Sequence, residues 1–147
     1  LLYALLQLLA SSQGVASTKA VNSSRHSIAA ALNVLMILID DLRPALGCYG
    51  DRLAKTPHID RLANESVRFE AAYASVATCS PSRTSLLTGL RPDSHGVYDL
   101  NTHFRDTVPH ATTLPQLFRQ AGYLSLSYGK VFHENLDDMA SWSPQTD

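Results

Sequence analysis

Asn33-Val34-Leu35-Met36-Ile37-Leu38-Ile39-Asp40-Asp41 is the stretch on which the fold turns. From Val34 to Ile39 it is apolar without alternation and rich in strand formers, the pattern of a strand buried on both faces in the middle of a parallel sheet. In such sheets functional groups gather at the carboxyl ends of the strands, where Asp40 and Asp41 fall. Adjacent carboxylates in that place repel and raise each other's pKa unless a positive group sits with them. Two readings stay open: a hard divalent cation such as Ca2+ shared by both, or a solvated turn in which one Asp caps the backbone of Leu42-Arg43-Pro44.

Downstream, helix and strand signals alternate. Thr56 followed by Pro57 reads as N-cap and first helical position, with Ile59, Leu62 and Ala63 on one face, and a short extended piece, Val67-Arg68-Phe69, follows. A second helix is expected to start close to Cys79, carry Leu86 and Leu87 inward and stop at Gly89. A third runs from about Thr113 through Leu117, Phe118 and Ala121 to Gly122, leading into the alternating Tyr123-Leu124-Ser125-Leu126-Ser127-Tyr128, which reads as a strand. Strands alternating with helices argue for an α/β fold with a mostly parallel sheet flanked by helices.

The apolar, uncharged Leu1-Leu2-Tyr3-Ala4-Leu5-Leu6-Gln7-Leu8-Leu9-Ala10 is too short to cross a bilayer as a helix, so stable membrane insertion is not expected. It reads as the apolar region of a signal peptide, residues 1–16, with Gly14 and Ala16 in the small-x-small arrangement that places cleavage after Ala16. The competing reading is a buried N-terminal helix. Residues 17–31, rich in Ser, Ala and Asn, describe a disordered lead-in to a domain of residues 32–147. Asn22-Ser23-Ser24 and Asn64-Glu65-Ser66 are N-glycosylation sequons. With 12 Lys and Arg against 13 Asp and Glu, the net charge of −1 gives no polyanion-binding surface, which excludes nucleic acid as an expected partner.

Cys79-Ser80-Pro81-Ser82-Arg83-Thr84-Ser85-Leu86-Leu87-Thr88-Gly89 is the most informative run. A cysteine at a helix N-terminus has its anion favoured by the dipole and the free N–H groups, and Arg83, one turn on, can return to the same end. By residue type alone, a buried structural cysteine with a surface arginine fits as well. Lys130 and His133 follow the expected strand and Gly129, at the end of the sheet where Asp40 lies. A lysine there supplies positive charge and a histidine can move a proton near neutral pH, although an exposed Lys and a half-buried His read equally simply. His58, His95, His103 and His110 read as structural or exposed. Asp99, Asn101, His103 and Arg105 lie on a loop that could reach a sugar.

The run from Cys79 resembles the sulfatase signature Cys-x-Pro-Ser-Arg followed by Leu-Thr-Gly, here Cys79, Pro81, Ser82, Arg83 and Leu87-Thr88-Gly89. The resemblance extends over roughly residues 32–133 and takes in Asp40-Asp41 and Gly129-Lys130-Val131-Phe132-His133. It implies an alkaline phosphatase-like α/β fold, incomplete in this chain, and a Cys79 oxidised before folding to Cα-formylglycine by a formylglycine-generating enzyme, which rules against a Cys48–Cys79 disulfide. It further implies one Ca2+ held by Asp40, Asp41 and position 79, with Arg83 and Lys130 stabilising the charge of nucleophile and sulfate, and His133 assisting proton transfer. Hydrated formylglycine would attack sulfur with one hydroxyl and expel sulfate through the other. Asp40-Asp41-Leu42-Arg43-Pro44, Gly47-Cys48-Tyr49-Gly50, Arg91-Pro92-Asp93 and Tyr98-Asp99 are worded most like the members that remove the 2-O-sulfate of iduronate from heparan and dermatan sulfate in the lysosome or outside the cell. The family's remaining metal ligands, an Asp with a following His or Asn, belong to a later segment, so this stretch alone is expected to lack sulfatase activity. The alternatives are a formylglycine-dependent phosphonate or phosphate ester hydrolase, and a non-catalytic truncated or glycan-binding protein.

Overall fold

The computed structural model describes the backbone of residues 4–9, and residues 32–144 in full. Among these, two compact units separate, one of residues 4–9 and 32–37, the other of residues 38–144. In the first unit Ala4–Leu9, inside the apolar start, forms strand β1 and pairs with β2, Asn33–Leu38, in a two-stranded sheet. The cleavage expected after Ala16, the lead-in of residues 17–31 and the sequon at Asn22 lie outside the described residues.

Strand β2 differs from its expected burial. Exposed and half-buried residues alternate along it, with Leu35 and Ile37 each 50% exposed. Burial on both faces needs a strand on either side and a layer over each face. Among the described residues β2 has β1 as its one neighbouring strand, so its apolar side chains meet water.

The second unit is helical. Helix α1, Pro57–Asn64, begins at Thr56 and Pro57 as expected, but the Thr56 hydroxyl does not cap it. That hydroxyl accepts from the Gly47 N–H at 2.9 Å and donates to Asp60 Oδ1 at 3.0 Å, while Asp60 Oδ1 also accepts from the Cys48 N–H at 2.7 Å. The bonds fasten α1 to the 3-10 turn Gly47–Tyr49. Asp60 sits so close that a Cβ on residue 47 would lie 2.5 Å from its Oδ2, which is why the turn starts with glycine.

Helix α2, Cys79–Thr88, starts after the extended Thr78 and ends where Gly89, at φ 71, takes the left-handed conformation. Although polar in composition it is buried at Ser80, Pro81, Ser82, Arg83, Thr84, Ser85 and Leu87, with Leu86 only half-buried. Its polar groups are met internally: Ser85 Oγ lies 2.9 Å from Nε2 of the fully buried His95, on the short helix α3, Pro92–His95. The Val97 N–H donates to His95 Nδ1, so the ring is neutral and donates from Nε2, and burial lowers its pKa.

The core lies between α2 and the segment after Gly129. Leu87, Val97, Phe104 and Phe132 are buried together, with Val108, Ala111, Val131 and Trp142 packed around them. Phe104, from α4 (Phe104–Thr107), stacks on Phe132 at 5.8 Å, and Trp142 meets Phe132 edge-on at 6.0 Å. Helix α5, Leu114–Gln120, opens at Thr113 with a capping box closed by Gln116. The expected strand Tyr123–Tyr128 does not form. The Tyr123 N–H bonds back to the Phe118 carbonyl and Ser125 exchanges hydrogen bonds with Ser143, while Leu124 and Tyr128 are exposed; alternation without a neighbouring strand among the described residues makes no ladder. Val67-Arg68-Phe69 likewise has no strand partner among the described residues. No described helix is long and apolar enough to cross a membrane.

Candidate active site

Three remote segments meet at Arg83. Placed one turn into α2 and 1% exposed, its guanidinium donates from Nη1 to the carbonyls of Lys130 and Val131, at 2.6 and 2.8 Å, and from Nη2 to Asp40 Oδ1 at 3.0 Å. Lys130 Nζ reaches the other oxygen of the same carboxylate, Oδ2, at 2.6 Å. Asp40 is thus gripped by two cations. The hydrogen bond from Lys130, then that from Arg83, lowers its pKa from 3.8 to about 2. In return the Asp40 carboxylate raises the pKa of Lys130.

Asp41 follows in the left-handed conformation, φ 53, and its side chain makes no hydrogen bond or ion pair among the described residues. Oxygens of Asp40 and Asp41 and the Cys79 Sγ all lie within 4.8 Å of one another. They border a cleft of about 100 Å³ with Thr78, Ser82 and Arg83. Arg83 Nε, buried without a partner among the described residues, leaves a donor unspent. Both Cys48 and Cys79 are free thiols.

The residues fit a cation in part. Two carboxylates are the hard oxygen ligands Ca2+ takes, and each Asp40 oxygen keeps lone pairs beyond the one given to its cation. A thiol is a soft ligand ill-suited to Ca2+. Oxygen at position 79 would complete a matching set, so the fit improves if Cys79 is oxidised to an oxygen-bearing group.

Asp40, Asp41, Cys79, Arg83 and Lys130 therefore lie together, with an ion-paired Asp40 carboxylate beside an Asp41 carboxylate that has no partner among the described residues. His133 does not line this cleft. It is buried, with Nδ1 unpartnered, four residues beyond Gly129, whose left-handed φ of 68 turns the chain into the segment. The Asp99 loop is organised for itself: Asp99 Oδ1 accepts from the N–H groups of Asn101 and Thr102. Arg105 is spent internally. All five of its N–H groups are engaged: Nε and Nη2 pair with the Asp138 carboxylate at 3.1 and 2.8 Å, Nη2 also meets Gln116, and Nη1 meets the carbonyls of Pro109 and Ala111. This Arg105–Asp138 pair, missing from the sequence reading, anchors the stretch that follows Lys130 and His133.

The sequence model of the sulfatase family matches residues 32–142, and the chain belongs to that family. The family's fold is alkaline phosphatase-like α/β. Iduronate 2-sulfatase of Homo sapiens is 48% identical over 124 residues, 80% of this chain and 22% of that protein, and the Mus musculus enzyme is 49% identical over the same shares. N-sulphoglucosamine sulphohydrolase of Homo sapiens is 41% identical over 100 residues. The chain spans about a fifth of the length of these relatives.

Proposed function

We propose that this chain carries the nucleophile-bearing part of a sulfuric ester hydrolase acting on the 2-O-sulfate of iduronate in heparan or dermatan sulfate. The observation that carries the reading is the double grip of Arg83 and Lys130 on Asp40, with Asp41 and Cys79 beside it. Two cations at a helix N-terminus that presents Cys79 suit a site where an anionic group is bound and transferred.

Cys79 is read as the precursor of Cα-formylglycine, whose hydrate supplies one hydroxyl to attack sulfur and a second whose deprotonation expels sulfate. Asp40, Asp41 and the oxygen at position 79 would hold one Ca2+, which adds Lewis-acid polarisation of the sulfate oxygens. Arg83 keeps the Asp40 carboxylate ionised and oriented, and its spare Nε is a donor for developing negative charge. Lys130 Nζ, a third exposed, can turn from Asp40 to a sulfate oxygen. His133, buried outside the cleft with Nδ1 unpartnered among the described residues, is read as assisting proton transfer. The mostly parallel sheet flanked by helices belongs to this proposal, with β2 as one of its strands. So do the secretory route, lysosomal or extracellular, the signal peptide of residues 1–16, and a formylglycine-generating enzyme as partner.

Trypsin cuts after Arg68 and Arg83, so Cys79 leaves in one peptide of residues 69–83. Material from a secretory host is expected to carry the aldehyde or its hydrate at position 79. A peptide mass with the thiol unchanged throughout would overturn the catalytic assignment.

A further inference from the structure

We infer that Asn64 is an N-glycosylation site, the attachment point of an oligosaccharide on the outer face of α1. The inference rests on the secretory route proposed above. Asn64-Glu65-Ser66 is an acceptor triplet with Glu, not Pro, in the middle. The structure adds where it stands.

Asn64 is the last residue of α1, a helix with no fully buried residue. Its half-buried face is Ile59, Leu62 and Ala63, while His58, Arg61, Asn64 and Glu65 are exposed. The Asn64 amide makes no hydrogen bond among the described residues, and Ser66 is exposed as well. A bulky glycan at this position therefore displaces no packing and breaks no bond. Neither Asn64 nor Ser66 lines the cleft of Asp40 and Cys79, so the glycan leaves the proposed site open.

The reaction couples Asn64 Nδ2 to C1 of an N-acetylhexosamine carried on a polyisoprenoid diphosphate. The N–C1 bond forms as the C1–O bond to the diphosphate breaks. The lipid diphosphate leaves with the electron pair and the amide nitrogen loses one proton. In the folded chain the exposed Ser66 hydroxyl donates to the Leu62 carbonyl, one turn back.

The test expresses the chain behind a heterologous signal sequence in a glycosylating secretory host, so that entry does not depend on its own N-terminus. Trypsin releases residues 62–68, cut after Arg61 and Arg68, as a peptide separate from the one holding Cys79. Expected is a glycopeptide that peptide N-glycosidase converts to one with Asp at position 64, and a one-glycan gel shift lost in Asn64→Gln and in Ser66→Ala. A shift that persists in both variants belongs to another site and, like an unmodified residue 62–68 peptide, overturns the inference. An unconverted Cys79 in the neighbouring peptide would count against the sulfatase reading alone.

Discussion

Replacing Asp40 by Asn removes the charge that Arg83 and Lys130 share while keeping a carbonyl oxygen in place. The carboxyl's fall from 3.8 to about 2 corresponds to about 2.4 kcal/mol of favourable interaction. With 38% of the side chain open to water, screening reduces that to about 1 kcal/mol. Arg83 sets a larger figure. At 1% exposure it keeps the carbonyls of Lys130 and Val131 but loses its carboxylate partner, and stripping the partner from a buried charge costs about 3–5 kcal/mol. Because the asparagine oxygen still accepts one hydrogen bond, the expected loss is about 2 kcal/mol. Urea unfolding followed by the fluorescence of Trp142, the single tryptophan, should show a midpoint lower by roughly 1 M. The sign of the pH dependence is set by the depressed carboxyl. Its contribution is fully present above the unfolded value of 3.8 and is lost as pH falls through about 2, so near pH 3 about half of that 1 kcal/mol should be gone and the gap between the two proteins should narrow to about 1.5 kcal/mol. Equal midpoints at pH 7, or a gap undiminished at pH 3, would refute the argument.

Arg105→Ala leaves the Asp138 carboxylate, 5% exposed, with Ser141 as its remaining side-chain donor, and should cost about 3 kcal/mol in the same urea assay. Burial alone would raise the Asp138 carboxyl, but hydrogen bonds from Arg105 and Ser141 lower it overall, so this contribution too holds above the ordinary carboxylate range and fades in acid. Titration calorimetry of this chain with Ca2+ should give an affinity no tighter than about 10⁻⁴ M, since two carboxylates and a thiol are a partial ligand set, and Asp41→Asn should weaken it further. Micromolar binding would mean that the ligand set is already complete.

Local chemistry made the helices legible. Pro57 at the first position starts α1, Gly89 in the left-handed conformation stops α2, and Thr113 with Gln116 opens α5 through a capping box, each a feature of a few neighbouring residues. Where a feature depends on a distant partner, the sequence was silent or misleading. The alternation of Tyr123–Tyr128 is a true strand pattern, yet no strand among the described residues lies beside it. The apolar β2 says nothing of how many neighbours cover it. Arg105 reads as a loop residue available to a ligand because the carboxylate that claims it lies 33 positions on. The site stands between these cases. Cys79 and Arg83 are legible through helix geometry, and Asp40 and Lys130 through their place at the end of an expected strand and a family resemblance, but that one carboxylate takes both cations is visible only in space.

Arg83 also sets an order of events. Its partners lie 43, 47 and 48 positions away, and contacts at such separation are rewarded only after long loops have closed, so they form late as the chain folds. Once they have formed, Ser80 to Ser85 are buried and the wording around position 79 can no longer be read from outside. For an enzyme that converts Cys79, the interval before closure is a clock. On the function proposed above, substitutions that hasten the docking of residues 129–131 onto α2 would lower the converted fraction while leaving the finished structure unchanged.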